Sequence, residues 1–575
     1  MPSQHEQATL SRRQVLGGMA GLGAGAASLA LPRVARAADA RQPNIVIILV
    51  DDVGFGALGV NGQQFVETPH LDRMAAEGIN FTSAYAGAAI CAPSRCSLLT
   101  GMHTGHARVR DNSFVETGEE PRLLPEDTTF GQVLQAAGYA TGIFGKWGFG
   151  DDDAYQPLPI GMASNPDAGG PVGDLDQNVG DPSHPLQKGF DEFVGMVRHH
   201  HATEGYFPNY LWDGNQRVLF PENADGAQTT YAPRVYTNRA LDFIDRHRAM
   251  PFAVFLSLQL AHWPNHVESV SPYEDRPWTD EMKRYAAQIT LADAIAGEVR
   301  AKLEELGLAN DTLVIFSSDN GHTEERFATG SGDSTQSIGP SPDSGAADIA
   351  WNMSGGLRGS KHSVYDGGIR VPTVAWGPGI VADTGRQDDT PWAFKDLLPT
   401  FADLAGVAPP NDVDGTSIVP LLQAEPGADR PPVYWERPPY LGFAVTGEPL
   451  PSMTYAQAVR RGRWKLIRFA PDTSPDHPDG DWRYELYDLD ADRGERINQA
   501  LAQPEVVAEL TAIMASSHAP RPFDREPWEP SERPEGQPAK DPAPLPSTGA
   551  GLGAMGLASL ALAGAASHWR RRRVG

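Results

Sequence analysis

Continuous apolar runs alternate with amphipathic stretches through the first three quarters of the chain. Each run has the length and the unbroken apolar character of a strand that is buried on both faces. The runs are residues 44–50, 252–258, 312–316 and, more weakly, 373–376. Helical periodicity marks the intervening residues 129–137, 233–248 and 278–305. This alternation predicts an α/β fold in which helices cover both faces of the sheet.

The pattern changes after residue 425. Residues 455–469 and 484–489 alternate between apolar and polar side chains, as exposed antiparallel strands do, and residues 504–517 have the period of an amphipathic helix. We therefore predict a main domain at 41–425 and a smaller C-terminal α+β domain at 426–520, made of an antiparallel sheet and a helix.

Three segments have compositions that do not favour a packed core. Residues 150–186 and 323–350 are rich in Asp, Gly, Pro and Ser, and we interpret them as long loops near a site or as disordered insertions. Residues 521–544 are rich in Pro, Glu and Arg, which is typical of a semi-rigid linker.

Composition limits the possible partners and crosslinks. The 575 residues, 40% of them hydrophobic, suffice for one large core and a smaller domain. The net charge of −26 argues against a nucleic-acid partner. The two cysteines, Cys91 and Cys96, lie in one short segment, so we expect no stabilising disulfide.

The N-terminus has the features of an export signal. Arg12 and Arg13 precede an apolar stretch rich in Gly, Ala and Leu, and Ala35-Arg36-Ala37 follows as a cleavage site of small residues. Residues 1–37 are therefore predicted to be a twin-arginine signal peptide. The alternative is a short buried helix.

The C-terminus, residues 545–575, resembles a sortase sorting signal. Leu545-Pro546-Ser547-Thr548-Gly549 precedes a short apolar segment and four arginines, and 521–544 would be a wall-spanning linker. We expect sortase to attach Thr548 to peptidoglycan at the cell surface, with a membrane anchor as the alternative. Loss of both signals removes eight arginines and one glutamate and leaves a net charge of about −33.

Acidic side chains follow two of the predicted strands. Asp51 and Asp52 come directly after the first strand, and Asp319 and Asn320 follow the strand at 312–316. Ligands gather at the carboxyl ends of strands in open α/β sheets, and clustered acids need a cation between them. An all-oxygen donor set favours Ca²⁺ or Mg²⁺ over zinc. The alternative for one such pair is a turn or a helix cap.

Residues 91–101 read Cys-Ala-Pro-Ser-Arg-Cys-Ser-Leu-Leu-Thr-Gly. Pro93 and Ser94 suit the first turn of a helix, so Cys91 would lie at a helix N-terminus, where backbone N–H groups favour an anion. Arg95 adds a positive charge on the same face. The simplest alternative is a turn that opens a helix and contains a buried cysteine.

The same run resembles the signature of the sulfatase family, C-x-P-S-R-x-x-x-L-T-G, at every fixed position. Three further segments resemble motifs of the same family: Gly145-Lys146-Trp147-Gly148, the segment that contains Lys361, and Ala261-His262-Trp263-Pro264. The resemblance covers about residues 43–515. It implies an alkaline-phosphatase-like mixed sheet between helices, and a calcium-dependent enzyme that hydrolyses a sulfate ester to an alcohol and sulfate. We expect a monomer.

The resemblance also implies roles for individual residues. A formylglycine-generating enzyme would oxidise Cys91 to formylglycine, whose hydrated form supplies the nucleophile. Arg95 would orient it, Lys146 and Lys361 would hold the sulfate oxygens, and His262 would protonate the leaving oxygen. One Ca²⁺ would be bound by Asp51, Asp52, modified Cys91, Asp319 and Asn320.

One position departs from the family pattern, and two other functions stay open. Gly148 stands where many sulfatases carry a histidine, and we predict that His201, in the His199–His201 run, takes its role. The nearest alternative function is a phosphonate or phosphate ester hydrolase of the same superfamily. A second is a surface binding protein whose cysteine is never oxidised. The sequence does not indicate which alcohol is released.

Overall fold

The computed structural model describes residues 42–112, 121–150, 181–198, 205–323, 352–425, 430–439 and 454–520, with the exception of 473 and 475. The predicted signal peptide, linker and sorting signal, His201, and most of the loops predicted at 150–186 and 323–350 lie outside these residues. Among the described residues, no helix is both long and apolar enough to cross a membrane.

The strands and helices of the described chain are as follows. The strands are β1 (Asn44–Val50), β2 (Ile79–Phe81), β3 (Ala84–Tyr85), β4 (Ala140–Lys146), β5 (Glu192–Met196), β6 (Tyr210–Asp213), β7 (Gln216–Leu219), β8 (Phe252–Ser257), β9 (Thr312–Ser318), β10 (Thr373–Trp376), β11 (Arg386–Asp388), β12 (Trp392–Ala393), β13 (Val433–Arg437), β14 (Ala456–Arg461), β15 (Trp464–Phe469) and β16 (Arg483–Asp488). The α-helices are α1 (Pro69–Ala76), α2 (Cys91–Thr100), α3 (Phe130–Ala136), α4 (Ala232–His247), α5 (Asp280–Glu305), α6 (Asp366–Ile369), α7 (Leu397–Leu404), α8 (Val419–Leu422) and α9 (Pro504–Ser517).

The main sheet is mixed and has ten strands in the order β11-β2-β10-β9-β1-β8-β4-β5-β6-β7. Its five central strands, in the spatial order β9-β1-β8-β4-β5, run parallel to one another. Strand β10 pairs antiparallel with β9, and β6 pairs antiparallel with β5. The parallel centre brings the carboxyl ends of β1, β4, β8 and β9 to one edge. The active-site candidates follow these strands, so the sheet topology gathers them in space.

Helices cover both faces of this sheet, as the sequence predicts. Alternate residues of β1 point to opposite sides: Val46 and Ile48 pack in a core with α1, α4 and α5, and Ile45 and Ile47 pack in a core with α2, α3 and α7. Full burial of each such side chain is worth about 1.5–3 kcal/mol. The two cores hold β1 at the centre of the molecule, and the predicted fold class is confirmed.

Strand β4 was not among the predicted strands, because glycines interrupt its apolar pattern. One of them, Gly145, has φ +118°, and a Cβ at that position would lie 1.9 Å from the carbonyl oxygen of Ser257. Only glycine permits this close approach of β4 to the end of β8. The approach sets Lys146 beside Ser257.

Strands β13 to β16 form a separate antiparallel sheet in sequential order, the C-terminal sheet. The sequence predicts exposed strands here, and that prediction is wrong, because both faces are covered. Leu466 packs with Met514 of α9, whereas Ile467 packs with Tyr365 of the main body. The alternating residues of these strands therefore point to two different buried faces, and not to one buried and one solvent-exposed face.

Candidate active site

The acids predicted to cluster do so at the carboxyl edge of the main sheet. Val50 of β1 pairs with Ser318 of β9, so Asp51 and Asp319 leave the sheet side by side. The backbone N–H of Asp52 donates to Asp319 Oδ1 at 3.3 Å, and Asn320 Nδ2 donates to Asp52 Oδ1 at 2.7 Å. Asp51, Asp52, Asp319 and Asn320 are fully buried.

Hydrogen bonds fix the turn that carries these acids. Asp52 has φ +61°, a left-handed conformation that aspartate tolerates better than most residues do. Ser318 Oγ accepts from the backbone N–H of Val53 at 2.9 Å, and Tyr285 Oη donates to the carbonyl oxygen of Asp52 at 3.0 Å. The carboxylates are thereby held in place before any ligand binds.

Cys91 is the first residue of α2, as the sequence predicts. Its Sγ lies 3.5 Å from Asp51 Oδ1, and the next backbone N–H, that of Ala92, donates to Asn112 Oδ1 at 2.9 Å. One donor atom from each of Asp51, Asp52, Cys91 and His262 lies within 4.8 Å of the others. Cys91 and Cys96 are both free and buried.

Arg95 lies one turn further along α2 and is 1% exposed. Its Nε donates to Asp319 Oδ2 at 3.0 Å, and its Nη2 lies 3.5 Å from Asp51 Oδ2. Its Nη1 donates to Ser257 Oγ and to the carbonyl oxygen of Lys146. The guanidinium therefore joins α2 to the ends of four strands.

Two lysines complete the charged site, one for each of the first two carboxylates. Lys146 Nζ lies 2.6 Å from Asp51 Oδ2 at the end of β4. Lys361 Nζ lies 2.8 Å from Asp52 Oδ2 and 3.3 Å from His262 Nε2. The structure thus places both predicted cations against the predicted metal ligands.

His262 lies in the loop after β8, and its side chain is 15% exposed. The backbone N–H of Asp51 donates to Leu260 O, and that of Ala261 donates to Asp51 O, which ties the loop to the end of β1. Tyr206 Oη donates to His262 O at 2.6 Å. His262 Nδ1 lies 2.5 Å from the carbonyl oxygen of Trp263, so Nδ1 carries the proton and Nε2 faces Lys361.

Burial and neighbouring charges act on these groups in opposite directions. Burial alone would raise the pKa of Asp51, but Lys146, His262, Arg95 and Lys361 hold it well below its usual range. Burial and the Asp51 carboxylate raise the pKa of Asp319 to about 6, against the effect of Arg95. Burial and Asp51 also raise the pKa of the Cys91 thiol, so the thiol is protonated at neutral pH. Burial and Lys361 lower the pKa of His262 to about 4.

Gly148, at the position that departs from the family pattern, has a left-handed backbone conformation. Its φ is +92°, which a histidine adopts only with strain. A Cβ there would have Arg95 Cδ, 3.7 Å away, as its nearest neighbour, so space alone does not exclude a side chain. His201, predicted to replace the family histidine, lies outside the described residues, and its role stays a prediction.

Three supporting residues were not predicted from the sequence. Ser257 ends β8, accepts from Arg95 and donates to the carbonyl oxygen of Lys146 at 2.6 Å. Tyr285 and Tyr206 fix the Asp52 and His262 backbones. A polar residue at the end of a third apolar run was a signal for Ser257, whereas the tyrosines give none, since their contacts depend on tertiary packing.

The described residues contain a second group with the composition of a metal site, His103, His106 and Asp414. The backbone N–H of Gly105 donates to His103 Nδ1 at 3.1 Å, so the other ring nitrogen carries the proton in the neutral ring. That nitrogen lies 3.7 Å from Asp414 Oδ2, and His106 Nδ1 lies 2.8 Å from Asp414 Oδ1. These contacts join the segment of His103 and His106 to the segment of Asp414, which is a structural role.

Comparison with known proteins agrees with this geometry. A sequence profile described as Sulfatase matches residues 43–407, and one described as N-sulphoglucosamine sulphohydrolase, C-terminal, matches residues 359–518. N-acetylgalactosamine-6-sulfatase of Canis lupus familiaris is 30% identical over 420 residues, which are 69% of this chain and 69% of that protein.

Solved structures share the fold. Ps i-CgsB has a TM-score of 0.62 at 21% identity, over 84% of this chain and 94% of its own. The phosphonate monoester hydrolase of Agrobacterium radiobacter has a TM-score of 0.51 at 21% identity, over 83% and 95%. These likenesses concern the fold, and the profile and the curated relative establish the family. The chain belongs to the sulfatase family and is a sulfuric ester hydrolase.

Proposed function

We propose that this enzyme is a calcium-dependent sulfatase that uses a formylglycine derived from Cys91. The observation that supports the proposal best is the convergence of Cys91, three carboxylates and three cationic side chains at one buried edge of the main sheet.

The donor atoms at this edge fit a hard divalent cation. Asp51, Asp52 and Asp319 supply carboxylate oxygens, and Asn320 Oδ1 is buried without a hydrogen-bond partner among the residues that the structure describes. A buried amide oxygen without a partner costs free energy unless a ligand satisfies it. Bound there, Ca²⁺ would neutralise the carboxylates and polarise the sulfate group.

Formylglycine suits the position of Cys91 better than a thiol nucleophile does. The hydrated aldehyde would supply a hydroxyl as nucleophile. The unmodified thiol is fully buried beside a carboxylate, which keeps it protonated and weakly nucleophilic. Asp51 is oriented to accept a hydrogen bond from whatever group occupies this position.

The cations divide the remaining tasks. Arg95 contacts Asp319 and Asp51 and thereby holds two of the carboxylates in place. Lys146 and Lys361 would bind the sulfate oxygens from two sides. His262 Nε2, next to Lys361, would protonate the leaving oxygen once an anionic sulfate group beside it raises its pKa from about 4.

The test combines chemistry at Cys91 with turnover. Protein from a host that has a formylglycine-generating enzyme is digested, and the mass of the Cys91 peptide is measured. We expect the aldehyde mass, together with turnover of sulfate esters in a panel that includes an aryl sulfate and N-acetylgalactosamine 6-sulfate. Full turnover by protein that carries only cysteine would refute the nucleophile. Faster turnover of an aryl phosphonate than of every sulfate ester would favour the phosphonate hydrolase.

We further propose that the enzyme is exported by the twin-arginine route and attached to the cell wall by sortase through Thr548. The support is the sequence of the two termini. Walls of the native host are treated with a muralytic enzyme. Released protein that ends at Thr548 with a peptidoglycan fragment is expected. Extraction of the chain with its tail by mild detergent would indicate a membrane anchor instead.

A further inference from the structure

Lys361 lies on a compact segment, residues 358–370, which we name the lysine loop. The backbone N–H of Gly367 donates to Arg358 O at 2.7 Å and closes the loop. A Cβ on Gly368 would lie 2.1 Å from Ser363 O, so α6 packs backbone to backbone on the turn that carries Lys361. A shift of α6 therefore shifts Lys361.

The lysine loop also contacts the segment that contains Asn320. The backbone N–H of Lys361 donates to His322 O at 2.8 Å, and that of Gly321 donates to Gly368 O at 2.9 Å. One rigid unit thus carries Lys361 and borders Asn320. Its position depends on what holds α6 from the other side.

The C-terminal sheet holds α6 through a buried ion-pair network. Lys465 Nζ of β15 lies 2.7 Å from Asp366 Oδ1 and 2.8 Å from Glu495 Oε1. Glu495 Oε2 accepts from the backbone N–H of Asp366 at 2.7 Å. All three residues are fully buried. Buried charges tolerate only a narrow range of geometries, because any lengthening exposes an uncompensated charge to a low dielectric.

Two hydroxyl contacts extend the same attachment. Tyr365 Oη donates to Glu485 Oε2 at 2.6 Å, and Arg358 Nη1 donates to Tyr487 Oη at 2.9 Å. Both partners lie on β16. The C-terminal sheet therefore holds the lysine loop at its beginning and at its middle.

We propose that Lys465 is a positioning residue, which holds Lys361 at the reacting sulfate group through Asp366 and α6. The inference rests on the proposed role of Lys361 in binding sulfate. A cation that stabilises a developing charge must be held to within about 0.5 Å, and a displacement of about 1 Å can lower the rate by about 10²-fold. The C-terminal sheet is thereby part of the catalytic apparatus without touching the substrate.

The experiment is a double-mutant cycle on kcat/KM with any sulfate ester that the enzyme turns over. Lys361→Ala is expected to lower kcat/KM by about 10²–10³. Lys465→Met is expected to lower it at least tenfold in the wild type and less than about twofold in the Lys361→Ala background, because there is no longer a lysine to misplace. A purely structural role would give the same loss in both backgrounds.

Lys395→Met is the matched control. Lys395 is also a buried lysine, 2% exposed, with Nζ 2.8 Å from Asp396 Oδ1, but it lies outside the lysine loop and the C-terminal sheet. We expect it to lower stability comparably and to leave kcat/KM of the folded enzyme within about twofold.

The outcomes separate this inference from the proposed function. Wild-type activity in Lys361→Ala would overturn the proposed role of Lys361 and the positioning role with it. A large loss in Lys361→Ala with equal losses from Lys465→Met in both backgrounds would overturn the positioning role alone. Should Lys465→Met not fold, Tyr365→Phe removes one hydroxyl contact from the loop. It is expected to lower kcat/KM about threefold in the wild type only, and an equal loss in both backgrounds would again overturn the inference.

Discussion

The lysine loop contributes to two buried charge clusters, which differ in whether a charged or hydrogen-bonding group faces each buried oxygen. The sheet cluster consists of Asp366, Arg370, Lys465 and Glu495, and Lys465 faces both acids. In the sheet cluster, Asp366 binds Lys465 through Oδ1, and its Oδ2 accepts from Arg370 Nη1 and Tyr85 Oη. In the active-site cluster, Asp51, Asp52 and Asp319 face Arg95, Lys146 and Lys361, yet Asn320 Oδ1 lacks a hydrogen-bond partner among the described residues.

Each cluster contains acids whose pKa values are shifted in opposite directions. Burial would raise the pKa of Asp366, but Lys465 and Arg370 hold it well below its usual range. Burial and Asp51 raise the pKa of Asp319 to about 6. In the sheet cluster, burial likewise raises the pKa of Glu495 to about 7, although Lys465 Nζ lies 2.8 Å from its Oε1. The clearer difference is that each carboxylate oxygen of Asp366 has a cation or a hydroxyl donor, whereas Asn320 Oδ1 has no hydrogen-bond partner among the described residues. The first arrangement serves stability and the position of Lys361, and the second serves binding.

Replacement of the nucleophile should have the largest effect on activity and little effect on the fold. The hydrogen bond that the described residues show for Cys91 Sγ is a long one, 3.5 Å to Asp51 Oδ1, so Cys91→Ala is expected to abolish turnover while the melting temperature stays near that of the wild type. Cys96→Ala, at a second buried cysteine of the same helix, is the control and should retain activity. Ester turnover and thermal unfolding of both variants measure this, and an active Cys91→Ala protein would contradict it.

Replacement in the sheet cluster should lower stability in addition to its effect on the position of Lys361. Asp366→Ala leaves the buried Lys465 and Arg370 without their shared carboxylate, so we expect the free energy of unfolding to fall by about 3–5 kcal/mol. Urea unfolding of the purified protein measures the change. A loss below 1 kcal/mol would mean that the sheet cluster does not stabilise the fold.

Calcium should stabilise the active-site cluster and leave the sheet cluster unchanged. After chelation, Ca²⁺ at about 100 times its Kd should raise the free energy of unfolding by about 2.7 kcal/mol and restore activity. Asn320→Ala should remove most of this increment. The control is Asn44→Ala, at the opposite end of β1, where the side chain donates to Thr312 Oγ1. It should lower stability but keep the calcium response, and restoration of activity by zinc alone would contradict the all-oxygen site.

The strand ends of the site could be predicted from the sequence because they depend on local pattern. Apolar runs locate β1 and β9, and the acids that follow must meet at one edge once the strands are parallel. Lys146 was located by its motif alone, since Gly145 interrupts the apolar run of β4. The family motifs located Cys91, Arg95, His262 and Lys361, and the structure brings all of them together.

The sheet cluster could not be predicted from the sequence. Lys465 and Asp366 are 99 positions apart, and nothing in the pattern of either segment distinguishes a buried lysine from a solvated one. The prediction that the C-terminal strands are exposed is wrong for a related reason. Alternation of apolar and polar residues does not show whether the second face of a sheet meets solvent or another layer. His201 and Thr548 stay predictions.

A half-exposed ion pair can be compared with the two buried clusters, and its replacement should have the smallest effect on stability. His106 Nδ1 lies 2.8 Å from Asp414 Oδ1, and the two side chains are 37% and 17% exposed. The hydrogen bond to Asp414 raises the pKa of His106. Burial would raise the pKa of Asp414, but His106 and His103 hold it below its usual value.

These two pKa shifts set the pH range in which the pair stabilises the fold. The contribution of His106 to stability is lost as pH rises through its raised pKa, and that of Asp414 is lost as pH falls through its lowered pKa. The pair should therefore stabilise most between about pH 4 and 6.5.

His106→Ala should accordingly lower the free energy of unfolding by about 0.2–1 kcal/mol near pH 5.5, with a smaller loss near pH 8.5, where the imidazole is neutral. Urea unfolding at the two pH values, at low and high salt, measures the difference, and salt should reduce it because the pair is partly solvated. His106→Gln, which keeps a hydrogen-bond donor without the charge, is the control and should lose the pH dependence. A loss from His106→Ala that is larger at pH 8.5 than at pH 5.5 would show that packing, rather than charge, accounts for the contribution of His106. The half-exposed pair would then stabilise the fold through packing, whereas the two buried clusters are held together by charge.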